Sequence, residues 1–239
     1  DVSDIAPRYT TLVPITVSSE TGGVVTSSIT GYTASGVATG AINCGAGVAD
    51  ADALCTVYFD SGSPVTLTAT PTLHEYRFVD WGSSTCTGST TGSGNAEGKC
   101  AFASLTSAQS GITPVYKKIS AVTVTDTVGG TVTASKADVF TTNLNCGGGV
   151  GTGGDTCTVY FDFDTSVTLT ATPTSGATRF EDWGDADATK DSCPGSASAS
   201  TTALGKCAIS DLSNDVSDIA PRYTTLVPIT VSVSYTHLT

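Results

Sequence analysis

Two long internal repeats constrain the fold of this chain more than any other feature. The segment INCGAGVADADALCTVYFD at 42–60 matches LNCGGGVGTGGDTCTVYFD at 144–162, and PVTLTATPT at 64–72 matches SVTLTATPT at 166–174. The matching blocks are offset by 107 residues near the ends of the repeat and by 102 residues in its middle. Such length changes between matching blocks are typical of surface loops that connect strands. The sequence therefore predicts two tandem modules of about 107 residues with the same fold.

An exact copy of the first eighteen residues lies near the other end of the chain. DVSDIAPRYTTLVPITVS at 1–18 returns at 215–232, a separation of 214 residues that equals two modules. We infer that the second copy begins the next unit of a longer repeat array. The alignment places one five-residue stretch as the closing strand of a preceding repeat, or as a donor strand for another subunit: Ile5, Ala6, Pro7, Arg8 and Tyr9. A short link is expected between this stretch and the first strand of the module, near Ile15.

The repeats set the domain boundaries. Residues 1–11 are assigned to the closing strand, 12–118 to the first module, 119–225 to the second and 226–232 to the start of the next repeat. Residues 233–239 (VSYTHLT) depart from the repeat and resemble a translated sequencing adapter, so we expect a non-native tail there, with a divergent strand as the alternative. The chain lacks methionine, which is typical of a processed product or a fragment.

The residue pattern within each module is that of β-strands. VTLTATP at 65–71 alternates Val, Leu and Ala with Thr, which places one set of side chains on each face of a strand. The pairs Gly22-Gly23 and Gly129-Gly130 lie between apolar runs, where hairpin turns would favour glycine. No stretch keeps a helical period, and 103–110 could form a short helical turn at most. The sequence predicts an all-β fold, sandwich-like or β-grasp-derived, with six or seven short strands per module.

The charge pattern excludes several partners. The formal net charge is −12, and the ten Lys and Arg residues form no cluster larger than Lys117-Lys118. A basic surface for nucleic acid or for an anionic membrane is therefore missing. No run of about 18 apolar residues could span a bilayer. We expect neither a nucleic-acid partner nor a membrane span in this chain.

The cysteines favour disulfides over a metal site. Their number is even, they recur at matched spacings, and they fall at Cys44, Cys55, Cys86, Cys100, Cys146, Cys157, Cys193 and Cys207. Zinc sites usually contain pairs separated by two to four residues, whereas these pairs are at least ten residues apart and the chain has two His. Disulfides form in oxidising compartments, so the pattern predicts an extracellular or cell-surface protein.

The combined motifs resemble divergent relatives of the internalin B-repeat, found in bacterial surface proteins. In the first module the resemblance is carried by Gly23 to Val25, Ile42 to Cys44, Cys55, Val65 to Pro71, Phe78 to Trp81, Cys86 with Cys100, and Val115-Tyr116. In the second it is carried by Gly130 to Val132, Leu144 to Cys146, Cys157, Val167 to Pro173, Phe180 to Trp183, Cys193 with Cys207, and Arg222-Tyr223. The resemblance implies an extracellular, repetitive, non-catalytic β module of adhesins, stalks or surface fibres, and implies no particular ligand.

Pairing within short loops is the preferred disulfide map. It joins Cys44 to Cys55, Cys86 to Cys100, Cys146 to Cys157 and Cys193 to Cys207, which gives each module two local bridges. Eight cysteines allow 105 connectivities, so other maps stay open at this point. Each loop of this size would contribute roughly 3 kcal/mol by the chain-entropy estimate.

A weak calcium candidate follows the second tryptophan. Asp185, Asp187 and Asp191 form the pattern D-x-D-x-x-x-D, and alternate carboxylates suit Ca²⁺. An EF-hand is excluded, because Lys190 and Ser196 stand where it needs Gly and Glu. Solvated turn aspartates are the preferred interpretation, with a Ca²⁺ site as the alternative and no other cofactor expected.

Other motifs have ordinary structural interpretations. Trp81 and Trp183 follow matching R-F-x-D strands, which favours core packing over sugar stacking. The glycine-rich stretch 147–155 lacks the G-K-[ST] ending of a phosphate loop. His74 is the one His in the repeated part of the chain, and the second module has no counterpart. No nucleophile, base or metal set recurs in both modules, so we expect no enzyme.

Two hypotheses for function remain. The first is a structural subunit of an extracellular filament or cell-surface stalk, which assembles head-to-tail with itself, either as one continuous chain of repeats or by pilus-like donor-strand exchange. The second is an adhesin module that binds glycan or protein at the cell surface. The second hypothesis predicts exposed aromatic side chains, for which Tyr32, Tyr76 and Phe140 are the candidates.

Overall fold

The computed structural model describes residues 9–49, 53–82, 86, 96–125, 128–140, 143–147, 157–174, 178–184, 193 and 205–232. These residues form sixteen strands and no helix, which confirms the prediction of an all-β fold. The chain divides into two compact units. One comprises Asp1–Ser120 with Val139–Thr141, and the other Ala121–Asp138 with Thr142–Thr239.

The first unit contains two complete sheets and one further strand pair. Its strands are β1 (Leu12–Val17), β2 (Gly23–Ser27), β3 (Asn43–Gly45), β4 (Thr56–Asp60), β5 (Val65–Pro71), β6 (Tyr76–Trp81), β7 (Gly98–Phe102), β8 (Gln109–Ile112) and the first half of β9 (Pro114–Val124). One sheet has the order β3-β2-β5-β7 and is antiparallel throughout. In the other, β1 lies between antiparallel β4 and parallel β8. The first half of β9 pairs antiparallel with β6.

The second unit repeats this arrangement. Its strands are the second half of β9, β10 (Gly130–Ala134), β11 (Asn145–Gly147), β12 (Cys157–Asp162), β13 (Val167–Pro173), β14 (Thr178–Gly184), β15 (Gly205–Ile209) and β16 (Val216–Thr225). The antiparallel sheet has the order β11-β10-β13-β15, and the second sheet has the order β12-β9-β16-β14. The end of β9 lies parallel to β16, as β1 lies parallel to β8 in the first unit.

Three details differ from the expectations drawn from sequence. The Gly-Gly pairs do not form hairpin turns, because the strands that they separate belong to different sheets. No link separates the closing strand from the next opening strand in the middle of the chain, since β9 is uninterrupted from Pro114 to Val124. Each unit also has more strands than predicted. Strands of three residues, such as β3 and β11, are too short to show an alternating pattern.

The core of each unit is built from the inward-facing residues of both of its sheets. On β5, Val65, Leu67 and Ala69 are buried while the intervening threonines face outward. These residues belong to one cluster with Ile15 of β1 and Phe59 of β4, so the two sheets share a single core. A fully buried side chain of this size stabilises the fold by about 1.5–3 kcal/mol. An equivalent cluster fills the second unit.

Candidate functional site

The candidate site is the stretch of chain that contains the last strand of one module and the first strand of the next. The repeated eighteen-residue segment spans this stretch. In the second unit the closing strand is β16, and Tyr223 on this strand packs against Phe180 with ring centroids 6.0 Å apart. Phe180 in turn contacts the buried Trp183 at 5.5 Å. The first unit repeats the set with Phe78, Trp81 and Tyr116. These aromatic contacts fix each closing strand to its own core.

Both tryptophans lie in these cores rather than on the surface. Trp81 is 6% exposed and Trp183 is 1% exposed, which confirms the prediction of core packing. The paired glycines make room for the neighbouring tyrosines. A Cβ atom on Gly22 would lie 2.3 Å from the Cβ of Tyr116, and one on Gly130 would lie 2.0 Å from the Cζ of Tyr223. Glycine is therefore required there by close approach of a ring, a reason that the sequence pattern did not reveal.

Burial raises the pKa of both closing-strand tyrosines well above the usual value near 10. For Tyr116 the nearby Glu20 carboxylate adds a smaller contribution in the same direction. The two hydroxyls have different surroundings. The Tyr223 hydroxyl donates to the carbonyl of Thr131 at 3.3 Å, whereas the Tyr116 hydroxyl is buried without a hydrogen-bond partner among the described residues.

We expect the Tyr116 and Tyr223 phenols to stay protonated in the folded protein at pH values where a phenol with the usual pKa near 10 is ionised. Phenolate absorbance of Tyr116→Phe should therefore equal that of the parent during an alkaline titration. The control is the same comparison in denaturant, where Tyr116→Phe should lose one tyrosine equivalent because burial no longer raises the pKa of Tyr116. Since the pKa is raised in the folded state, the stability that these groups contribute is complete below about pH 10 and is lost as the pH rises further. Loss of one tyrosine equivalent by the folded Tyr116→Phe variant would contradict the burial of Tyr116.

The structure joins the cysteines within short loops. The bridges are Cys44–Cys55, Cys86–Cys100, Cys146–Cys157 and Cys193–Cys207, with Cα–Cα distances of 4.9, 5.0, 5.9 and 5.6 Å. These distances lie within the usual range for disulfides. In each unit the first bridge ties the short strand β3 or β11 to the chain at the start of β4 or β12. Each module thus carries its own two cross-links.

The opening strand of the module occurs in two different environments. Leu12–Val17 is β1 in the first unit, and Leu226–Val231 has the identical sequence LVPITV. In β1 the inward-facing residues are 0–5% exposed: Val13, Ile15 and Val17. Their copies are 78–87% exposed: Val227, Ile229 and Val231. The same six residues are therefore core in one place and solvent-exposed in the other.

Both edges of β1 are paired in the first unit. Its register with β4 places Thr16 opposite Thr56, and their hydroxyl oxygens are 3.0 Å apart. The Val17 N–H donates to the carbonyl of Cys55 at 2.9 Å. On the other edge, the Ser18 N–H donates to the carbonyl of Ile112 at 2.9 Å. We call this position between β4 and β8 the β1 slot.

The predicted intersubunit strand at 5–9 lies outside the described residues except for Tyr9, which is 90% exposed. Its copy at 219–223 lies within β16, where Ile219 and Ala220 are buried. The side chain of Arg222, the counterpart of Arg8, forms a two-point ion pair with Asp182 on β14. Both side chains are 41% exposed, so we expect this pair to contribute at most about 1 kcal/mol.

Within the part of the chain that the structure describes, the other candidate residues do not converge on a binding site. The calcium candidate Asp185, Asp187 and Asp191 lies outside the described residues. Among the residues that are described, no three His, Cys, Asp or Glu side chains group as metal ligands would. His74 sits in a turn with a positive φ of 64°. The aromatic residues named for the adhesin hypothesis are half-buried: Tyr32, Tyr76 and Phe140.

The described residues contain no helix that is long and apolar enough to cross a membrane. Comparison of the chain with protein-family models, with curated proteins and with solved structures finds no match. The resemblance to internalin-type B-repeats therefore stays a hypothesis that rests on the motifs themselves.

The sequence analysis assigned Leu226–Val231 only as the start of the next repeat. Its letter-for-letter identity with β1 was the signal that this segment has the sequence of a core strand.

Proposed function

We propose that this chain is a structural unit of an extracellular filament or cell-surface stalk, built from tandem β modules that assemble head-to-tail. The observation that carries the proposal is the double environment of the opening strand. LVPITV is core at 12–17 and exposed at 226–231, so the exposed copy has the sequence of a strand that completes a module.

Strand β9 supports the proposal by illustrating a completed junction. Residues 114–118 pair with β6, while Val122 and Val124 pair with β16. The aligned segment 221–231 begins in the same way, because Pro221 to Thr225 pairs with β14. Its second half, Leu226–Val231, has no strand pairing among the described residues. Strand β9 is thus a junction between two modules, and the segment 221–231 repeats its sequence pattern.

The construction of each module suits a load-bearing extracellular role. Each unit has its own core cluster and two local disulfides, so neither unit depends on the other for its cross-links. Disulfides persist in oxidising surroundings and are rare in the cytosol. The net charge of −12 keeps chains soluble and limits indiscriminate association. These features support a durable repeat outside the cell.

Electron microscopy of the native material tests the proposal. We expect filaments or stalks with an axial repeat of one or two modules. Denaturing electrophoresis without reductant then separates the two routes of assembly: one band near 24.0 kDa would exclude a continuous chain of many repeats, and a much larger species would exclude exchange between separate subunits. Globular particles without any axial repeat would contradict the proposed function.

The adhesin hypothesis makes a different prediction. It requires aromatic or polar side chains grouped on an accessible surface, as in sugar-binding sites. The half-burial of Tyr32, Tyr76 and Phe140 does not favour it. Specific hits on a glycan array, abolished by substitution of one of these aromatic residues, would favour the adhesin over the filament.

A further inference from the structure

We infer that the first and last strands of each module form a mechanical clamp, and that the two disulfides of the module act behind it as a stop that limits extension. The inference rests on the proposed function and deepens it, because it names the contacts that hold a module closed when the chain is under tension. Each unit carries its own clamp and its own stop.

The clamp of the first unit is the parallel pair of β1 and β8. The register places Ile15 beside Gln109 and Val17 beside Ile112, and the Ser18 N–H donates to the carbonyl of Ile112 at 2.9 Å. Because β1 fills the β1 slot between β4 and β8, its inward-facing side chains also belong to the core. Extraction of β1 therefore breaks strand pairing on both edges and exposes apolar core residues in the same step.

The second unit repeats the clamp with the end of β9 and the start of β16. The end of β9 lies between β12 and β16, as β1 lies between β4 and β8. Val124 lies beside Ile219, and the Thr125 N–H donates to the carbonyl of Ile219 at 2.8 Å. At the 107-residue offset this is the same hydrogen bond that Ser18 and Ile112 form in the first unit. The clamp is therefore a property of the module and occurs in both copies of it.

The direction of the two strands decides how they respond to tension. In a chain of tandem modules, tension enters a module at the beginning of its first strand and leaves at the end of its last strand. Because these two strands are parallel, the pull draws them past each other along their length, and their evenly spaced hydrogen bonds carry it together. Two strands pulled apart from adjacent ends would instead lose their hydrogen bonds one at a time.

The disulfides lie behind the clamp and not across it. In the first unit both bridges fall between β1 and β8 in the sequence, and neither bridge joins these two strands. Once the clamp opens, the two closed loops cannot extend, and their sequence separations of 11 and 14 together withhold 25 residues. At about 3.3–3.6 Å per residue, the stop shortens the extension of a module by about 80–90 Å. The second unit has the same two separations.

The two clamps differ by one hydrogen bond. In the second unit the Ala121 N–H donates to the carboxylate of Asp215, which directly precedes β16, at 2.8 Å. The corresponding residues of the first unit are Pro14 and Ala108. This bond cannot form there, because proline has no N–H and alanine has no side-chain acceptor. We therefore expect the first unit to open at a lower force than the second.

Single-molecule force spectroscopy of the full, oxidised chain tests the clamp by changing only the direction of the pull. Handles on the two termini load both clamps along their strands, and we expect one opening event for each unit. In the control, handles on the N-terminus and on an azide-bearing amino acid in place of Ala108 load the first unit alone. Ala108 is exposed and directly precedes β8, so this pull separates β1 and β8 from adjacent ends.

The first unit should open at a severalfold lower force in the control direction, although the same strand pair is broken. Equal opening forces in the two directions would overturn the clamp. The attachment site is the one change between the two measurements, and the first unit keeps its sequence apart from one exposed alanine.

Two matched variants test the difference between the clamps. Asp215→Ala should lower the higher of the two opening forces and leave the lower one unchanged, and Asp215 is exposed, so the core is not disturbed. The reverse variant, Pro14→Ala combined with Ala108→Asp, supplies both missing groups and should raise the lower force. Unchanged forces in both variants would overturn the assignment of this hydrogen bond to the clamp.

A dithiol reductant present during the pull tests the stop. Cys44 and Cys100 are at most 1% exposed, so the reductant reaches the bridges after the clamp has opened. Each opening event should then be followed by a further extension of about 80–90 Å, at about 3.3–3.6 Å per residue released. The same total extension with and without reductant would overturn the stop.

The outcome is separable from that of the proposed function. Filaments in the native material, together with equal opening forces in the two directions, would leave the filament standing and remove the clamp. A direction-dependent opening force, together with globular native particles, would leave the clamp standing and remove the filament.

Discussion

Removal of both disulfides from the first unit is expected to lower its free energy of unfolding by about 6 kcal/mol. The bridges Cys44–Cys55 and Cys86–Cys100 close loops with sequence separations of 11 and 14 residues. Each loop of this size contributes about 3 kcal/mol by restricting the unfolded chain, and the loops do not overlap, so the two contributions add. Domains usually have a total stability of about 5–15 kcal/mol, and the loss is therefore a large part of the whole.

The unit can be followed by its own tryptophan during denaturation. Trp183→Phe leaves Trp81 as the reporter of the first unit, where it is buried. In this background, alanine at all four cysteines of the first unit should move the unfolding midpoint to a much lower denaturant concentration. The matched control replaces Cys146, Cys157, Cys193 and Cys207 and should leave the Trp81 transition in place. Coincident midpoints for the two variants would contradict a separate cross-linked core in each unit.

The repeats made much of this fold predictable from sequence. VTLTATP has a period of two with Val, Leu and Ala on one side, and those side chains are the buried ones in β5 and β13. The matching R-F-x-D-W blocks likewise indicated two equivalent cores, in which both tryptophans are buried. Local alternation fixes which face of a strand is apolar, and two copies of a pattern make that signal harder to mistake.

Pairing between distant strands could not be predicted in the same way. The alternation in β1 predicts which of its faces is apolar but not which strands lie beside it. Its neighbours are β4 and β8, about 40 and 95 residues away in the sequence. For this reason Gly22-Gly23 was interpreted as a hairpin turn, although β1 and β2 belong to different sheets. The role of the glycines depends on the ring of Tyr116, which comes from the far end of the module.

Burial of the opening strand was the least predictable property, because it depends on partner strands rather than on the strand itself. LVPITV has one sequence and two environments in the same chain. Sequence alone placed the intersubunit contact at residues 5–9, on the closing side of the junction. In the structure, exposed apolar side chains lie instead in the first strand of the next repeat, at 226–231.

Alanine in place of Ile15 is expected to destabilise the first unit by about 2–5 kcal/mol, whereas alanine in place of Ile229 should change the stability of either unit by less than about 0.5 kcal/mol. Ile15 is fully buried on a central strand, so its truncation removes apolar burial and leaves a cavity. Ile229 is 87% exposed, so its truncation removes almost no burial. Both variants make the same chemical change within the same six-residue sequence.

The two variants therefore differ only in the burial of the substituted residue and not in its local sequence. Denaturant unfolding of the two variants in dilute solution, where copies do not associate, measures the difference, with Trp81 and Trp183 reporting the two units. Equal destabilisation by both variants would mean that Leu226–Val231 is packed as core in the same way as β1, and would contradict its exposure.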